Sequence, residues 1–518
     1  MLENKCMSLE EAVSLVKDGD TIWINAFSAI ASPVDLNRAL TRRFRETGHP
    51  RGLKVYSAFS FSDWKKDSDV EGYICEGAVD MLVAGFFGSL ERTCGAIQRN
   101  EIEAYNIPGG VMSHMIRAAA RGSRSLWSKI GVNLFVDPRV GSCGLNERST
   151  KQLVRVAVDL DGQEGLVYDI PQVDIAFLKA TEADLRGNIS FRRDCASIDA
   201  LSVAQATHRN GGKVIVQVLK TTHYLTPSEV TIPAALVDAI VVCPEQQQLT
   251  NIDGYYDYIS GNYIPRGRIL RACKDEIQEK VGATHARNDL HYVIARRAFR
   301  EIQPEQIINI GIGIPELIAE EVLSHDMLDT VHLSVESGHT GGYPLGGKGF
   351  GAAISPDTML DMARQFDFYE GGGLDLCFIG ALEVDAEGNV NGHHTAGKLS
   401  GIGGFANISQ ATKNVVFCFT FDAKGLAGHF DGEQVHIDRE GTVPKLVEHV
   451  GGISFSAKNG LKNGQNVLYI TERCVFRLTE GGLELCEVAP GIDLQRDILD
   501  RLPFAVRVAE DLRPMAID

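Results

Sequence analysis

Several features are missing from this chain of 518 residues, and each absence closes off a class of function. The eleven cysteines contain no C-x-x-C pair and are irregularly spaced. Cys377 in L-D-L-C-F-I-G and Cys418 in V-V-F-C-F lie in apolar runs. That usage predicts free, buried thiols in a reducing compartment, and argues against zinc clusters and disulfide frameworks. His393-His394 suggests a metal, but no other ligand pair stands at zinc spacing, so no metal site is expected. No apolar run approaches the roughly 20 residues that a membrane-spanning helix needs. The start, Met1-Leu2-Glu3-Asn4-Lys5-Cys6, lacks the basic-then-apolar pattern of a signal peptide, and the expected location is the cytoplasm. Positive charge is also short. With 51 basic against 68 acidic residues the net charge is −17, which argues against a nucleic-acid partner, although a local basic patch can still hold a phosphorylated ligand. There is no G-x-x-x-x-G-K-[ST] loop, so ATP-driven activation has no support.

What is present belongs to an ordinary globular protein, 44% hydrophobic and 23% charged, and too long for one core. The chain repeats itself. V-D-I-A-F-L-K-A-T-E-A-D-L-R-G-N-I-S from Val173 to Ser190 matches L-D-L-C-F-I-G-A-L-E-V-D-A-E-G-N-V-N from Leu374 to Asn391 without a gap. Asp174, Phe177, Ala180, Glu182, Asp184, Gly187 and Asn188 recur as Asp375, Phe378, Ala381, Glu383, Asp385, Gly388 and Asn389. Each copy reads as a buried strand, an acidic segment, a Gly-Asn turn and a second strand. A second correspondence links Asp18–Pro33 with Glu305–Pro315, each a strand, a small-residue loop, then proline at a helix start. These repeats predict two related α/β domains in tandem, at 1–275 and 288–518, joined by a polar junction at 276–287.

Helices are expected at Leu9–Val16, Pro33–Arg43, Val111–Ala120, Asp289–Ile302, Pro315–Leu323 and Pro356–Arg364. Strands are expected at Val214–Val218, Ala239–Val242, Val415–Phe421 and Val467–Ile470. Such alternation predicts mainly parallel sheets covered by helices.

The most informative stretch is Ser334-Val335-Glu336-Ser337-Gly338 with Gly341-Gly342, directly after the apolar run Thr330-Val331-His332-Leu333. It places one carboxylate at the carboxyl end of a buried strand, where open α/β sheets bind ligands. Taken alone it reads more readily as a solvated turn. Three glycine-rich loops strengthen the reading as a site. One is Asn309-Ile310-Gly311-Ile312-Gly313-Ile314-Pro315, between a strand and a helix, where backbone N–H groups can hold an anion. The others are Gly341-Gly342 with Gly346, Gly347 and Gly349, and Gly401-Ile402-Gly403-Gly404. Dense glycine permits close backbone approach to a ligand. A Rossmann reading of Gly311-x-Gly313 is weak, because Glu316 stands at the third glycine position and Pro315 lies inside the motif.

With these residues in view, the chain resembles family I coenzyme A transferases of the fused two-subunit type, such as acetate, propionate and acetoacetate CoA-transferases. The resemblance covers nearly the whole length. In the second half it rests on N-I-G-I-G-I-P, S-V-E-S-G-x-x-G-G, Y-E-G-G-G-L-D-L, D-A-E-G-N-V-N, G-I-G-G-F and I-T-E-R-C-V-F. In the first half it rests on N-I-P-G-G-V at Asn106–Val111, F-V-D-P at Phe135–Pro138 and A-D-L-R-G-N at Ala183–Asn188. It implies the family I fold, with the active site between the halves. It implies a ping-pong transfer of CoA between a short-chain acyl-CoA and a free carboxylic acid. Glu336 would be the nucleophile, passing through a glutamyl-CoA thioester. Gly401 would offer an oxyanion-hole N–H. Gly311, Ile312 and Gly313, with Gly403 and Gly404, would face the CoA and the thioester. No tightly bound cofactor is implied, CoA being a co-substrate. The partners would be acyl-CoA and small acids, with no nucleic acid and no membrane, in a homo-oligomer (dimer or tetramer). The first half departs from the family, since Asn25-Ala26-Phe27-Ser28-Ala29-Ile30-Ala31-Ser32-Pro33 replaces a Gly-Gly-Phe-rich loop and Gly109 stands where relatives often carry Gln. Because these loops help form the family's acyl pocket, an altered acyl preference is expected. Two alternatives stay open: an acyl-CoA hydrolase, in which water intercepts the intermediate, and a non-catalytic protein that binds CoA esters or metabolites.

Overall fold

The structure is a computed structural model that describes residues 5–66, 68–281 and 286–517. Each half of the chain builds its own sheet. In the first, the strands Ala239–Val242, Lys213–Thr222, Ile175–Asp184, Thr21–Ile24, Leu53–Ser57, Val79–Ala84 and Glu103–Asn106 lie side by side in that order, all parallel. In the second, His332–Val335, Ile307–Ile310, Leu376–Gly380, Asn414–Cys418 and Asn466–Ile470 form a parallel core. Antiparallel strands extend it at both ends. Ile175–Asp184 is buried along its whole length, as a strand covered on both faces must be.

The sequence repeat is a structural one. Thr21–Ile24 pairs with Ile175–Asp184 just as Ile307–Ile310 pairs with Leu376–Gly380, with Ile22 opposite Ile175 and Ile308 opposite Leu376. The Asp174 carboxylate accepts the Thr21 N–H at 2.9 Å, and the Asp375 carboxylate accepts the Ile307 N–H at 2.9 Å. The Gly-Asn turns are equally alike. Asp184 accepts both the backbone N–H and the side-chain amide of Asn188 at 2.9 Å, and Asp385 accepts those of Asn389 at 2.9 and 3.1 Å. Gly187 and Gly388 have φ of 88° and 90°, a conformation that favours glycine.

The expected elements are present with shifted ends. The helix after Pro33 runs Val34–Thr47 and stops at Gly48 in the left-handed conformation. Leu290–Phe299 opens the second half with Asp289 as N-cap, its carboxylate accepting the His291 N–H. One expectation needs correction. Pro356–Arg364 is not a helix: Thr358–Met359 pairs antiparallel with His339–Thr340, and the helix begins only at Met362, capped by Asp361. The polar junction is helical up to Val281, within Gly267–Val281, and its residues 282–285 lie outside those described.

Because Asp184 is 1% exposed and Asp385 4%, each serves its turn from a nearly dry position. Asp184→Ala and Asp385→Ala should each lower stability by about 1–3 kcal/mol, through backbone donors left unpaired. A shift in the urea unfolding midpoint reads this directly.

Candidate active site

Glu336 follows the last residue of the strand His332–Val335, on a tight turn into His339–Thr340. The turn is pinned from several sides. The Ser337 hydroxyl donates to the Gly351 carbonyl and lies 3.1 Å from His339 Nδ1. Gly338 has φ of +122°, and a Cβ there would lie 2.1 Å from the Leu360 carbonyl oxygen, so only glycine fits. Behind the turn, Tyr369 from Y-E-G-G-G donates to Ser334 Oγ at 2.9 Å and receives the Gln365 amide at 2.9 Å.

The glutamate is not a solvated turn residue. It is 7% exposed, and Oε2 has no hydrogen-bond partner among the described residues. Burial pushes its carboxyl up to about 7, against the opposing pull of its own backbone N–H and the Asn309 side chain. Asn309 Oδ1 and His339 Nε2 nearby are also buried and unpartnered. Unpaired polar atoms cluster where a fold gives up stability for chemistry.

Glu336 looks into a cavity of about 430 Å³ between the halves, lined also by Gly311, Ile312, Gly313, Gly401, Gly403 and Gly404. The Gly401–Gly404 loop is sewn to the first half by backbone bonds. Gly403 N–H donates to the Gly85 carbonyl and Gly109 N–H to the Gly403 carbonyl, both at 2.7 Å. Phe87 N–H donates to the Ser400 carbonyl at 2.7 Å, and Ile402 N–H to Asn106 Oδ1 at 2.9 Å. A Cβ on Gly404 would stand 3.2 Å from Glu336 Oε1, so the missing side chain is what lets the backbone approach the carboxylate.

One assignment changes. Gly401 lines the cavity, but its N–H donates to the His393 carbonyl at 2.9 Å and is not free to meet an oxyanion in this conformation. No acceptor among the described residues takes the Gly404 N–H. His393 is itself structural: its ring stacks on Phe135 at 3.9 Å, Nδ1 lies 2.8 Å from Ser454 Oγ, and its carbonyl also receives the Ser400 N–H.

Sequence reasoning missed part of the wall. Phe59, Phe86 and Phe350 line the cavity, and only spatial closeness groups them with Phe27. Lys398 and Lys445 also line it. Lys445 Nζ donates to the Ala381 carbonyl at 2.8 Å, and burial, with Lys398 adding to it, pushes its amine down to about 8. An adjoining cleft of about 460 Å³ shares Trp64 and Ile312–Ile314 with the first and continues along Gly346, Gly347 and Lys348. Glu316, at the would-be third Rossmann glycine, accepts the Gly347 N–H at 2.9 Å and so ties two of the glycine loops together.

Known proteins carry the same framework. A family profile described as Coenzyme A transferase matches residues 6–243 and 292–420. Acetate CoA-transferase YdiF of Escherichia coli O157:H7 is 37% identical over 512 residues, spanning 98% of this chain and 94% of that one. Caffeate CoA-transferase of Acetobacterium woodii is 34% identical over 521 residues, spanning 99% and 96%. A crystal structure of the acyl-CoA transferase YdiF from E. coli O157:H7, a thioester complex with CoA, superposes with a TM-score of 0.91 at 35% identity, covering 100% of this chain and 96% of that one.

A buried carboxyl held up to about 7 costs the fold stability once it ionises. The folded state binds more protons than the unfolded state between about 4.5 and 7, so the contribution is favourable below that window and lost as pH rises through it. Glu336→Gln should therefore be more stable than the parent at pH 8, by up to about 3 kcal/mol, and not at pH 4. Denaturant midpoints at the two pH values check this.

Proposed function

We propose, from the premise that this chain belongs to the coenzyme A transferase family, that Glu336 is the nucleophile of its reaction. The protein is an enzyme that moves coenzyme A between an acyl-CoA and a free carboxylic acid. The observation that carries the assignment is the Glu336 carboxylate, buried and with Oε2 unpaired among the described residues, facing a cavity walled by two of the glycine loops, Gly311–Gly313 and Gly401–Gly404.

The chemistry follows from that placement. A Glu336 oxygen attacks the thioester carbonyl, the C–S bond breaks, and CoA leaves as thiolate from a mixed anhydride. The thiolate then attacks the Glu336 carbonyl carbon, releasing the acyl group as a carboxylate and leaving a glutamyl-CoA thioester. An incoming acid runs both steps in reverse. A carboxylate stripped of water is a stronger nucleophile than a solvated one, and dry surroundings protect anhydride and thioester from hydrolysis. Nucleophile and leaving group are both anions, so neither step needs a base to remove a proton. The tetrahedral oxygen that forms beside Glu336 meets the Gly404 N–H; Gly401 joins it only by leaving the His393 carbonyl. One such donor is worth about 3–4 kcal/mol. The Gly311–Gly313 loop and the adjoining cleft accept the pantetheine arm, and Lys398 and Lys445 supply positive charge near the thiolate.

The same reading makes CoA a co-substrate rather than a tightly held cofactor, and the protein a cytoplasmic homo-oligomer that acts on short acids. No helix among the described residues is long and apolar enough to cross a membrane, and all eleven cysteines are free. Both facts support that placement. The division into domains at 276–287 belongs to this reading as well.

The test is incubation with an acyl-CoA and no acceptor, followed by peptide mass spectrometry. A CoA adduct is expected on the peptide that contains Glu336, and none in Glu336→Gln, whose exchange rate should fall at least about a thousandfold. Adduct formation should slow about tenfold per pH unit below about 7, as the carboxyl protonates. An unmodified Glu336 peptide beside full exchange activity would refute the assignment.

A further inference from the structure

Gly109 and the departing loop Asn25–Pro33, through its Phe27, are far apart in sequence but meet at one place in the chamber. A Cβ on Gly109 would lie 2.5 Å from Phe59 Cε2 and 2.6 Å from Cζ, so the Phe59 ring occupies the space that any side chain at 109 would need. Phe59 in turn packs on Phe27 with ring centroids 4.4 Å apart, and stacks on Phe366 at 6.5 Å. Strand register makes this aromatic group the first-half counterpart of the strand end that carries Glu336, and both line the same cavity. Val55 pairs with Ile22 as Leu333 pairs with Ile308, so counting on along each strand makes Ala58-Phe59 the first-half counterpart of Glu336-Ser337. Gly403 closes the link: a Cβ there would touch Phe59 at 3.4 Å, and its neighbour Gly404 abuts Glu336.

Among the described residues, the first-half wall of the chamber carries no charge. Its hydroxyl, Ser28 Oγ, is already paired with Ser60 Oγ at 3.0 Å. Trp64 Nε1 is buried with no partner among the described residues, a single neutral donor that cannot balance a carboxylate. The cationic groups, Lys398 and Lys445, come from the other half.

Resting on the reading of Glu336 as nucleophile, we infer that this wall selects monocarboxylic acids with a branched or aromatic apolar body and rejects acids bearing a second carboxylate or an oxo group. A polar group laid against aromatic edges loses its water without gaining a partner, whereas an apolar body gains contact area and ring packing. Phe59 sets the preference, and the absence of a side chain at Gly109 permits Phe59 to stand there.

The experiment measures kcat/KM with acetyl-CoA as donor and isobutyrate, 3-phenylpropionate, acetate, succinate and acetoacetate as acceptors. The parent should favour isobutyrate and 3-phenylpropionate over succinate and acetoacetate by at least about a hundredfold. Phe59→Leu should lower kcat/KM for 3-phenylpropionate about tenfold while changing acetate less. Gly109→Gln in a Phe59→Ala background, which opens the space the glutamine needs, should narrow the gap to the polar acids; a melting curve confirms that each variant is folded. The Glu336–CoA adduct, assayed without acceptor, separates the two levels of the claim. An adduct with an acceptor profile that does not discriminate overturns this inference and leaves the nucleophile standing. No adduct and no exchange with any acid overturns both.

Discussion

The Glu336 carboxylate is kept from water by backbone that belongs to both halves of the chain. The strand end delivers it, the Gly338 turn fixes its direction, and the Gly401–Gly404 loop closes over it, tied by short N–H···O bonds to Gly85 and Gly109. Neither half could do this alone. The second supplies Glu336, and the first supplies both the acceptors and the N–H donors that hold the loop down. Desolvation then raises the carboxyl to about 7, and the same desolvation shields the anhydride of the proposed mechanism from bulk water.

Duplicated architecture explains how two halves come to meet at one site. Both carry the same aspartate at the head of the central strands and the same Asp-Asn lock in the following turn. They diverge at the strand end that reaches the chamber. There the second half has Glu336 and a tight hairpin, and the first has Phe59 and a loop leading on to further parallel strands. In the proposed reaction, one copy of the repeated strand end performs chemistry while the other shapes the space around it.

Much of this was legible in the sequence, for identifiable reasons. The gapless repeat and the strand-glycine-proline pattern report backbone needs that only a few residue types satisfy, so they exposed the two halves and placed Glu336 at a strand end. The Pro356–Arg364 segment misled because its residues have adequate helix propensity, while pairing of Thr358–Met359 with the hairpin edge decides otherwise. Gly401 was expected to offer an oxyanion-hole N–H, but whether that N–H is free depends on the His393 carbonyl, a tertiary contact no local pattern encodes. The aromatic wall was hidden for the same reason: Phe59 and Gly109 acquire meaning only once they compete for one volume.

The central claim is that Glu336 sits dry in the resting enzyme, and direct titration of its carboxyl tests that most sharply. Infrared difference spectra of 13C-glutamate-labelled protein, parent minus Glu336→Gln, isolate this one group as pH is varied. A protonation midpoint near 7 is predicted. A midpoint in the ordinary glutamate range, about 4.3, would show that water reaches the carboxylate and would contradict the account.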